Sequence, residues 1–354
     1  MKKAATELTG VKEIARRANV SIGTVDRVIH NRVGVSEKTK QKVNAIIEEL
    51  NFQPNKMASL LATRKSMNFA VLIPAVSADT DYWSFPLTGI EQAAAETKQF
   101  GVSVKHYFYD LDSKESFTKA SHELLNDAPD AVLLAPSFVE ESAVLAAKLD
   151  ELKIPLVFIN SDLADQNNLA YIGPDLYQSG RLAAQLISLS LQQQDNVLIV
   201  NISSDLKNDH HLVRKEHGFK KFFEDAGSKT KVATLNINET KLTAVEQSLM
   251  QTLDASPDVK AIFVTNSRVN IVAEILKKHN RNNTLLVGYD FLKKNIDYLV
   301  SQQITYLICQ RPKEQGYLGI MALYKHLFKV SEVERSVYMP IDIITKENYL
   351  FYNS

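Results

Sequence analysis

The first fifty residues repeat apolar side chains at the spacing of helix faces. The first set follows the i, i+3, i+4, i+7 pattern of one face: Val11, Ile14, Ala15 and Ala18. The pattern breaks after it, and Ser21 stands where an N-cap would start a second helix with Val25, Val28 and Ile29 facing inward. Ser36 can cap a third helix over residues 37–50. These patterns predict three short helices around a small shared core.

Beyond residue 67 the pattern changes to short apolar runs that alternate with amphipathic segments of helical length. The runs FAVLIP, VSVKHYFY, DAVLLAP and IPLVFIN form one series, and LAYIG, NVLIV, KVATLNI, KAIFVT and TLLVGYD form the next. Strands that alternate with helices are typical of βαβ units and parallel sheets. The expected fold class is therefore α/β, with an all-α N-terminal part followed by a parallel-sheet body of two similar lobes.

The second predicted helix exposes a face of small and polar residues, namely Ile22, Gly23, Thr24, Arg27, His30 and Asn31. Two short helices joined by a tight turn, with such a face on the second, suit a helix-turn-helix whose recognition helix lies in the major groove of DNA. Arg27 or His30 can donate hydrogen bonds to base edges there. The simpler interpretation is a helical hairpin with a solvated face, and these residues alone leave both open.

The run ANVSIGTVDRVIHN, with VSEKTKQKVNAIIEELNFQPNKMASLLA after it, closely resembles the DNA-binding headpiece and hinge of the LacI/GalR family of bacterial transcription regulators. The resemblance implies that Ser21, Ile22, Gly23 and Thr24 open the recognition helix beside Arg27. It also implies phosphate contacts from Ser36, Thr39 and Asn55. His30 and Ala58 are further expected DNA contacts, and Leu61 would wedge between base pairs in the minor groove.

Asp26 departs from the family pattern, because many members carry a serine at this position. A carboxylate near DNA is repelled by phosphate unless it accepts a hydrogen bond from a cytosine amine or pairs with Arg27. Both alternatives remain open at this point.

Polar residues follow the apolar runs directly, at the points where predicted strands end: Asn160, Asn266, Asp290 and Gln310. Ligands of open parallel sheets bind beyond the carboxyl ends of strands. The segment after the first strand also carries aromatic residues, Tyr82, Trp83 and Phe85. Aromatic faces beside amides and carboxylates suit a sugar, although each polar residue alone is equally explained as a turn residue or helix cap.

Residues 68–345 resemble the periplasmic sugar-binding-protein fold that forms the effector half of the same family. The resemblance rests on IPLVFINSD, VRKEHGF, IFVTNS, VGYD and ICQRPKEQG. It implies that Asn160, Asn266, Asp290 and Gln310 contact the ligand. A basic residue before the glycine-phenylalanine pair would do so too, and between Arg214 and Lys215 the expectation favours Arg214.

The charge of the chain is unevenly distributed although its total is zero. Residues 1–66 carry 13 Lys/Arg and 6 Asp/Glu, a net +7, whereas the remainder carries 28 and 35, a net −7. A basic head on an acidic body fits a polyanionic partner for the head alone. The single cysteine, Cys309, excludes an intrachain disulfide framework and is expected to be a buried apolar side chain.

No catalytic or metal chemistry is evident in the sequence. His210, His211 and His217 lie close together, but adjacent histidines on a helix point in different directions and no second ligand cluster supports a metal. The N-terminus has no apolar stretch after its lysines, so no signal peptide is expected and the protein would be cytoplasmic.

These observations predict three parts: a headpiece at 1–54, a hinge helix and linker at 55–66, and an effector and dimerisation domain at 67–354. The chain would cross between the lobes near 160–163, 290–293 and 320–325. The expected function is that of a transcriptional repressor without a cofactor, which binds a palindromic DNA operator as a homodimer and responds to a sugar-like molecule. A solute-binding protein without a regulatory role, or an enzyme on the same body, is the alternative.

Overall fold

The computed structural model describes residues 10–29, 31–50, 52, 66–77, 81–192, 195–204 and 210–352. The chain divides into two compact units, residues 1–65 and 66–354. The sequence places the hinge at 55–66, and of that segment only Ser66 belongs to the described residues.

Three helices form the N-terminal unit: α1 (Val11–Ala18), α2 (Ile22–Ile29) and α3 (Glu37–Glu49). Their shared core centres on Ile14, Val25 and Val43, whose side chains are completely buried. The predicted caps are confirmed, because the hydroxyl of Ser21 accepts a hydrogen bond from the backbone N–H of Thr24 and Ser36 caps α3 in the same way.

The C-terminal unit holds two lobes, each built on a six-stranded sheet. Lobe 1 contains the strands β1 (Met67–Pro74), β2 (Val102–Tyr109), β3 (Ala131–Leu134), β4 (Leu156–Ile159) and β5 (Ala170–Gly173), and the helices α4 (Ser84–Lys98), α5 (Lys114–Asn126) and α6 (Val139–Glu151). The strand β11 (Ser336–Tyr338) and the helix α12 (Pro312–Leu327) complete this lobe from the far end of the chain. Its strand order is β11-β5-β4-β3-β1-β2, and every pairing is parallel.

Lobe 2 contains β6 (Asn196–Ile202), β7 (Val232–Ile237), β8 (Val259–Val264), β9 (Leu285–Tyr289), β10 (Tyr306–Cys309) and β12 (Asp342–Ile344). Its helices are α7 (Leu176–Ser188), α8 (His210–Asp225), α9 (Leu242–Ala255), α10 (Val269–Lys278) and α11 (Lys293–Val300). The order β12-β10-β9-β8-β6-β7 repeats that of lobe 1, except that β12 runs antiparallel to β10. The expected two-lobed α/β architecture is confirmed, and α11 is a helix that the apolar pattern had not indicated.

The chain crosses between the sheets at different places from those expected. The crossings lie between β5 and α7, between β10 and α12, and between β11 and β12, and not near 160–163, 290–293 and 320–325. The first two expected positions follow strand ends and lead to a further element of the same lobe, and residues 320–325 lie inside α12. Whether the chain stays in one lobe or crosses to the other depends on pairings between distant strands, such as β5 with β11, which no local pattern reveals.

Glycines allow one close helix crossing in each lobe. A Cβ atom at Gly89 of α4 would lie 1.9 Å from the carbonyl oxygen of Lys313 in α12. In lobe 2, a Cβ at Gly180 of α7 would lie 1.9 Å from the carbonyl oxygen of Lys215 in α8. Distances this short exclude any larger side chain, so the path of α8, and with it the position of Lys215, depends on Gly180.

No helix among the described residues is long and apolar enough to cross a membrane.

Candidate functional site

The start of α2 presents the small and polar face that the sequence predicts. Ile22 is 51% exposed, and the hydroxyls of Ser21 and Thr24 lie 2.9 Å apart beside it. A Cβ atom added at Gly23 would meet only the Ser21 hydroxyl, at 3.7 Å. Packing inside the unit therefore does not require a glycine at this position. Its small size does allow a partner molecule to approach the helix closely.

Asp26 on this helix forms an ion pair with Arg32, whose Nη1 lies 3.1 Å from a carboxylate oxygen. The sequence had suggested Arg27 as one possible partner of Asp26, and Arg27 is exposed on the same helix. Of the other expected DNA contacts, Ser36 and Thr39 share a hydrogen bond of 2.9 Å between their hydroxyls. Four further ones, His30, Asn55, Ala58 and Leu61, lie outside the described residues.

A cleft between the two lobes gathers most of the predicted ligand residues. Its cavity has a volume of about 100 Å³, and its lining includes Tyr82, Trp83, Asn160, Asn266, Asp290 and Gln310. Phe85 lies in a smaller neighbouring cavity. The strand-end reasoning thus located a real concave site, because the carboxyl ends of both sheets face the same space.

Two of the strand-end residues adopt the left-handed backbone conformation, Asn160 with φ of 70° and Asp290 with φ of 73°. Asn and Asp tolerate this conformation better than other side chains with a Cβ. The turn-residue explanation is therefore correct for the backbone of both positions. It is compatible with a role in binding, since both side chains also line the cleft.

The aromatic wall of the cleft is held from lobe 1. The amide nitrogen of Asn160 donates a 2.7 Å hydrogen bond to the hydroxyl of Tyr82. Tyr82 in turn packs edge-on against Trp83, with 5.2 Å between the ring centroids. Both rings are buried, so they form a fixed surface on which a flat apolar face can lie.

Asn266 has a different role from the other strand-end residues. Its amide nitrogen donates to the carbonyl oxygen of Ile202 at 2.7 Å, and its amide oxygen accepts from the backbone N–H of Arg268 at 3.2 Å. Both ends of the side chain thus join the end of β6 to the start of α10. We assign Asn266 to shaping the wall of the cleft.

Of the two basic residues that the sequence proposed for ligand contact, Lys215 lines the cleft and Arg214 does not. Lys215 is 3% exposed; its ammonium donates to the carbonyl oxygen of Thr265 at 3.1 Å and lies 3.7 Å from the ring centroid of Tyr289. Arg214 is absent from the lining and pairs with Asp162 of lobe 1. The two side chains diverge because adjacent helix residues point about 100° apart, and α8 packs on α7 with the Lys215 carbonyl oxygen against Gly180.

Asp290 is the buried carboxyl group opposite Lys215. Burial raises its pKa to about 7, against the lowering effects of the Lys215 charge and of a hydrogen bond from Gln310. Among the residues that the structure describes, neither Oδ1 of Asp290 nor Oε1 of Gln310 has a hydrogen-bond partner. Buried acceptors of this kind favour a ligand that donates hydroxyl hydrogens to them.

Several lining residues of lobe 2 were not predicted from the sequence, among them Ser203, His211 and Arg268. Burial lowers the pKa of His211 to about 3, and the charges of Lys215 and Arg268 contribute, so this imidazole is neutral. The spacing of His211 and Lys215, four residues apart on α8, was the available signal, since such residues share a helix face. No group of His, Cys, Asp and Glu side chains that could hold a metal ion occurs in the described part of the chain.

Two polar contacts join the lobes outside the aromatic wall. The hydroxyl of Ser204 in lobe 2 donates to the carboxylate of Asp112 in lobe 1. Arg214 of lobe 2 pairs with Asp162 of lobe 1. All four side chains are at least partly exposed, so these contacts can form and break in water as the lobes move.

Known protein families match both units of the chain. Residues 10–55 match the family described as bacterial regulatory proteins, lacI family, and residues 69–329 match the periplasmic binding protein domain. Catabolite control protein A of Staphylococcus epidermidis is 26% identical over 282 residues, which cover 73% of this chain and 83% of that protein. The HTH-type transcriptional repressor ExuR of Bacillus subtilis is 30% identical over 158 residues, 44% of each chain.

Solved structures show the same relationship for the C-terminal unit. A LacI transcriptional regulator from Bacteroides fragilis superimposes with a TM-score of 0.75 at 30% identity, covering 82% of this chain and all of that one. The glucose-galactose binding protein GanP of Geobacillus stearothermophilus shares the fold, with a TM-score of 0.71 at 20% identity over 80% of this chain and 99% of that one. With its helix-turn-helix headpiece and its two-lobed periplasmic-binding-protein domain, the chain belongs to the lacI family of bacterial regulatory proteins and is a DNA-binding transcriptional regulator.

Proposed function

We propose that this regulator is a repressor that binds a palindromic operator as a homodimer and releases or engages it in response to a sugar bound between its lobes. The observation that carries the proposal is the pair of buried acceptors without a partner in the described residues, Asp290 Oδ1 and Gln310 Oε1, beside the aromatic wall of the cleft. A molecule with several hydroxyl groups and one apolar face satisfies both features.

The headpiece, residues 1–54, would read DNA through the exposed start of α2. Ser21, Ile22, Gly23 and Thr24 would approach base edges, and Arg27 would donate to a base, the commonest partner of arginine being guanine. His30 would lie on the same face. Contacts to the DNA backbone, which position the headpiece, would come from Ser36, Thr39, Asn55 and Ala58. Two headpieces related by a twofold axis need two half-sites, which is the reason for proposing a palindrome.

The hinge at 55–66 would be ordered only when a partner subunit and DNA support it. A helix of this length is marginal in water by itself. Leu61 would then insert into the minor groove at the centre of the operator and unstack one base step. Such a regulator acts inside the cell and needs no catalytic chemistry, so a cytoplasmic, non-enzymatic role belongs to the same proposal.

The charges of the cleft favour a neutral ligand. Lys215 and Arg268 supply two positive groups, and Asp112 and Asp290 supply two carboxyl groups. A doubly charged phosphate ester would meet the Asp112 carboxylate and would disfavour ionisation of Asp290. The sugar-binding proteins of the same fold, GanP among them, support a sugar as the class. Of the predicted contacts, Tyr82, Trp83, Asn160, Asp290 and Gln310 keep a direct role, Lys215 takes that of Arg214, and Asn266 shapes the wall.

Ligand and DNA would be coupled through the angle between the lobes. The Ser204–Asp112 and Arg214–Asp162 contacts hold the lobes together, and a ligand that touches both sheets adds to them. Closure would change the positions at which the two hinges of a dimer leave their effector domains. The coupling must be reciprocal, so DNA must change ligand affinity by the same factor as the ligand changes DNA affinity.

The test uses the full-length protein in two steps. A thermal-shift screen of neutral sugars and their phosphate esters identifies a ligand, and a gel shift with DNA selected from a palindromic library then measures operator affinity with and without it. Asp290→Ala should abolish the response to ligand and keep operator binding, because it leaves ligand hydroxyls unpaired at a cost of about 1–3 kcal/mol per group. Asp297→Ala, an exposed carboxylate on α11, is the matched control.

Three results would contradict the proposal. Failure of the protein to select any DNA sequence would contradict operator binding. A sugar phosphate whose binding survives Asp290→Ala would show that the ligand site does not include Asp290. A ligand that binds tightly but leaves operator affinity unchanged would leave a solute-binding protein as the better description of the effector domain.

A further inference from the structure

A second, smaller cavity lies behind the cleft, and we call it the annex. It shares Tyr82, Asp290 and Gln310 with the cleft and extends away from it towards the crossing between β10 and α12. Its volume is about 10 Å³, the size at which a cavity holds one water molecule or one group of similar size. The annex can therefore receive a single substituent of a molecule that fills the cleft.

Apolar side chains form the sides of the annex: Phe85, Phe291, Leu292, Cys309 and Pro312. Its far wall is Tyr352, which stands beyond the last strand in the C-terminal segment. The ring of Tyr352 packs edge-on against Phe291, with 4.8 Å between the centroids. No motif in the sequence had drawn attention to this tyrosine.

Three residues of the annex lining each carry a buried polar atom: Asp290 Oδ1, Gln310 Oε1 and the hydroxyl of Tyr352. In the described residues none of them has a conventional hydrogen-bond partner, although the Tyr352 hydroxyl has a weak interaction with the Cys309 thiol. Gln310 Oε1 only accepts hydrogen bonds, Asp290 Oδ1 accepts them when the carboxyl group is ionised, and the phenol can donate one. Burial raises the pKa of Tyr352, so its hydroxyl keeps its proton and remains a donor at neutral pH.

The hydroxyl group of a primary alcohol matches this arrangement in size and in hydrogen bonding. Its oxygen accepts from Tyr352 while its hydrogen goes to one of the two acceptors, and the methylene group of the alcohol contacts the apolar sides. A bare ring hydrogen would leave all three polar atoms unsatisfied. A methyl group would fill the volume but make no hydrogen bond.

We propose that the annex binds the exocyclic hydroxymethyl group of a hexose, and that Tyr352 makes the effector site selective for hexoses over pentoses. The inference rests on the proposed function, because it assumes that a sugar occupies the cleft. It adds the size class of the sugar and a specificity-determining residue from the C-terminal segment.

The test compares sugars that differ only in this substituent. D-Galactose, 6-deoxy-D-galactose and L-arabinose carry CH₂OH, CH₃ and H at the same ring carbon, and D-glucose, 6-deoxy-D-glucose and D-xylose repeat the series with another ring stereochemistry. Calorimetric titration of the full-length protein should give the hexose of at least one series an affinity roughly 5- to 100-fold above both analogues.

Two conservative variants separate a hydrogen bond from a packing role. Tyr352→Phe should weaken hexose binding about 5- to 50-fold and leave the deoxyhexose unchanged, which closes the gap between the two. Tyr349→Phe, one turn earlier against the core of lobe 2 and outside the annex lining, should leave the gap as it is.

A pentose that binds as tightly as its hexose would overturn the proposal, since the annex would then receive no part of the ligand. A deoxyhexose that binds more tightly than the hexose would overturn the hydrogen-bonding role and leave an apolar subsite. If neither series binds while another ligand class does, the proposed sugar response fails and the hexose assignment with it. The wild-type comparison decides these outcomes even if Tyr352→Phe folds poorly.

Discussion

The protonation of Asp290 can be tested through the stability of the protein without any ligand. The perturbation is Asp290→Asn, which keeps the size of the side chain and removes its ability to ionise. Burial raises the pKa of Asp290 to about 7 in the folded chain, whereas an unfolded aspartate has a value of 3.8. Between these values the unfolded chain releases a proton that the folded chain keeps, so the free energy of unfolding falls as the pH rises.

The size of the effect follows from the shift. Each pKa unit corresponds to about 1.4 kcal/mol, so ionisation of Asp290 costs the folded state about 4 kcal/mol above pH 7. About 2–3 kcal/mol of that loss falls between pH 5 and pH 8. The titratable groups that face Asp290 from other elements include Lys215, Tyr82, Tyr352 and Cys309, and burial, which raises the pKa of Asp290, outweighs the lowering effect of the Lys215 charge.

The assay is urea unfolding followed by circular dichroism at pH 5, 6, 7 and 8 for wild type and Asp290→Asn. The difference between the two proteins cancels titration elsewhere, and it should change by about 2–3 kcal/mol in favour of the variant as the pH rises. Asp297→Asn, which makes the same replacement at an exposed position of α11, is the matched control. A constant difference for Asp290→Asn would refute the reasoning, because Asp290 would then be ionised throughout and form a full ion pair with Lys215.

Three further predictions concern other parts of the molecule. Arg27→Ala should weaken operator binding by about 1–3 kcal/mol and relax the preference at one base pair of each half-site in a selection experiment, and an unchanged preference would exclude Arg27 from base readout. Leu61→Ala, outside the described residues, should reduce operator binding far more than binding to random DNA in gel shifts, whereas equal losses would indicate that Leu61 only packs. Gly180→Ala should lower the free energy of unfolding by about 1–3 kcal/mol and weaken ligand binding in titrations, because its Cβ would press on the Lys215 carbonyl. The control is Gly23→Ala, which has open space around its Cβ and should change the free energy of unfolding by no more than about 0.5 kcal/mol.

Local patterns predicted the parts of the site that lie at strand ends. Asn160, Asp290 and Gln310 each follow a continuous apolar run, and a buried parallel strand must end where the run ends. The sheet then brings these ends together whatever the details of the helices. The apolar spacing of the headpiece likewise predicted its three helices, and both serine caps lie at the predicted positions.

The residues that were missed or misassigned depend on contacts between distant segments. Lys215 enters the cleft because α8 crosses α7 at Gly180, and sequence spacing cannot show that crossing. Tyr352 reaches the annex only because β12 pairs with β10 and brings the C-terminal segment beside Asp290. Asn266 was placed correctly in the cleft, but only the structure shows that its amide is engaged with the backbone of Ile202 and Arg268.

Helix α12 is synthesised long after the strands that it covers. This helix packs on α4 and over β3, β4 and β5, with Gly319 beside Leu133 and Ile159, yet about 150 residues separate β5 from its end. At ordinary rates of translation the ribosome needs on the order of ten seconds to produce that stretch. Throughout this interval one face of the first sheet lacks its cover, and most of lobe 2 is synthesised before that cover is complete. The nascent chain thus carries an exposed apolar surface that a chaperone, or a neighbouring nascent copy, can reach before its own helix does.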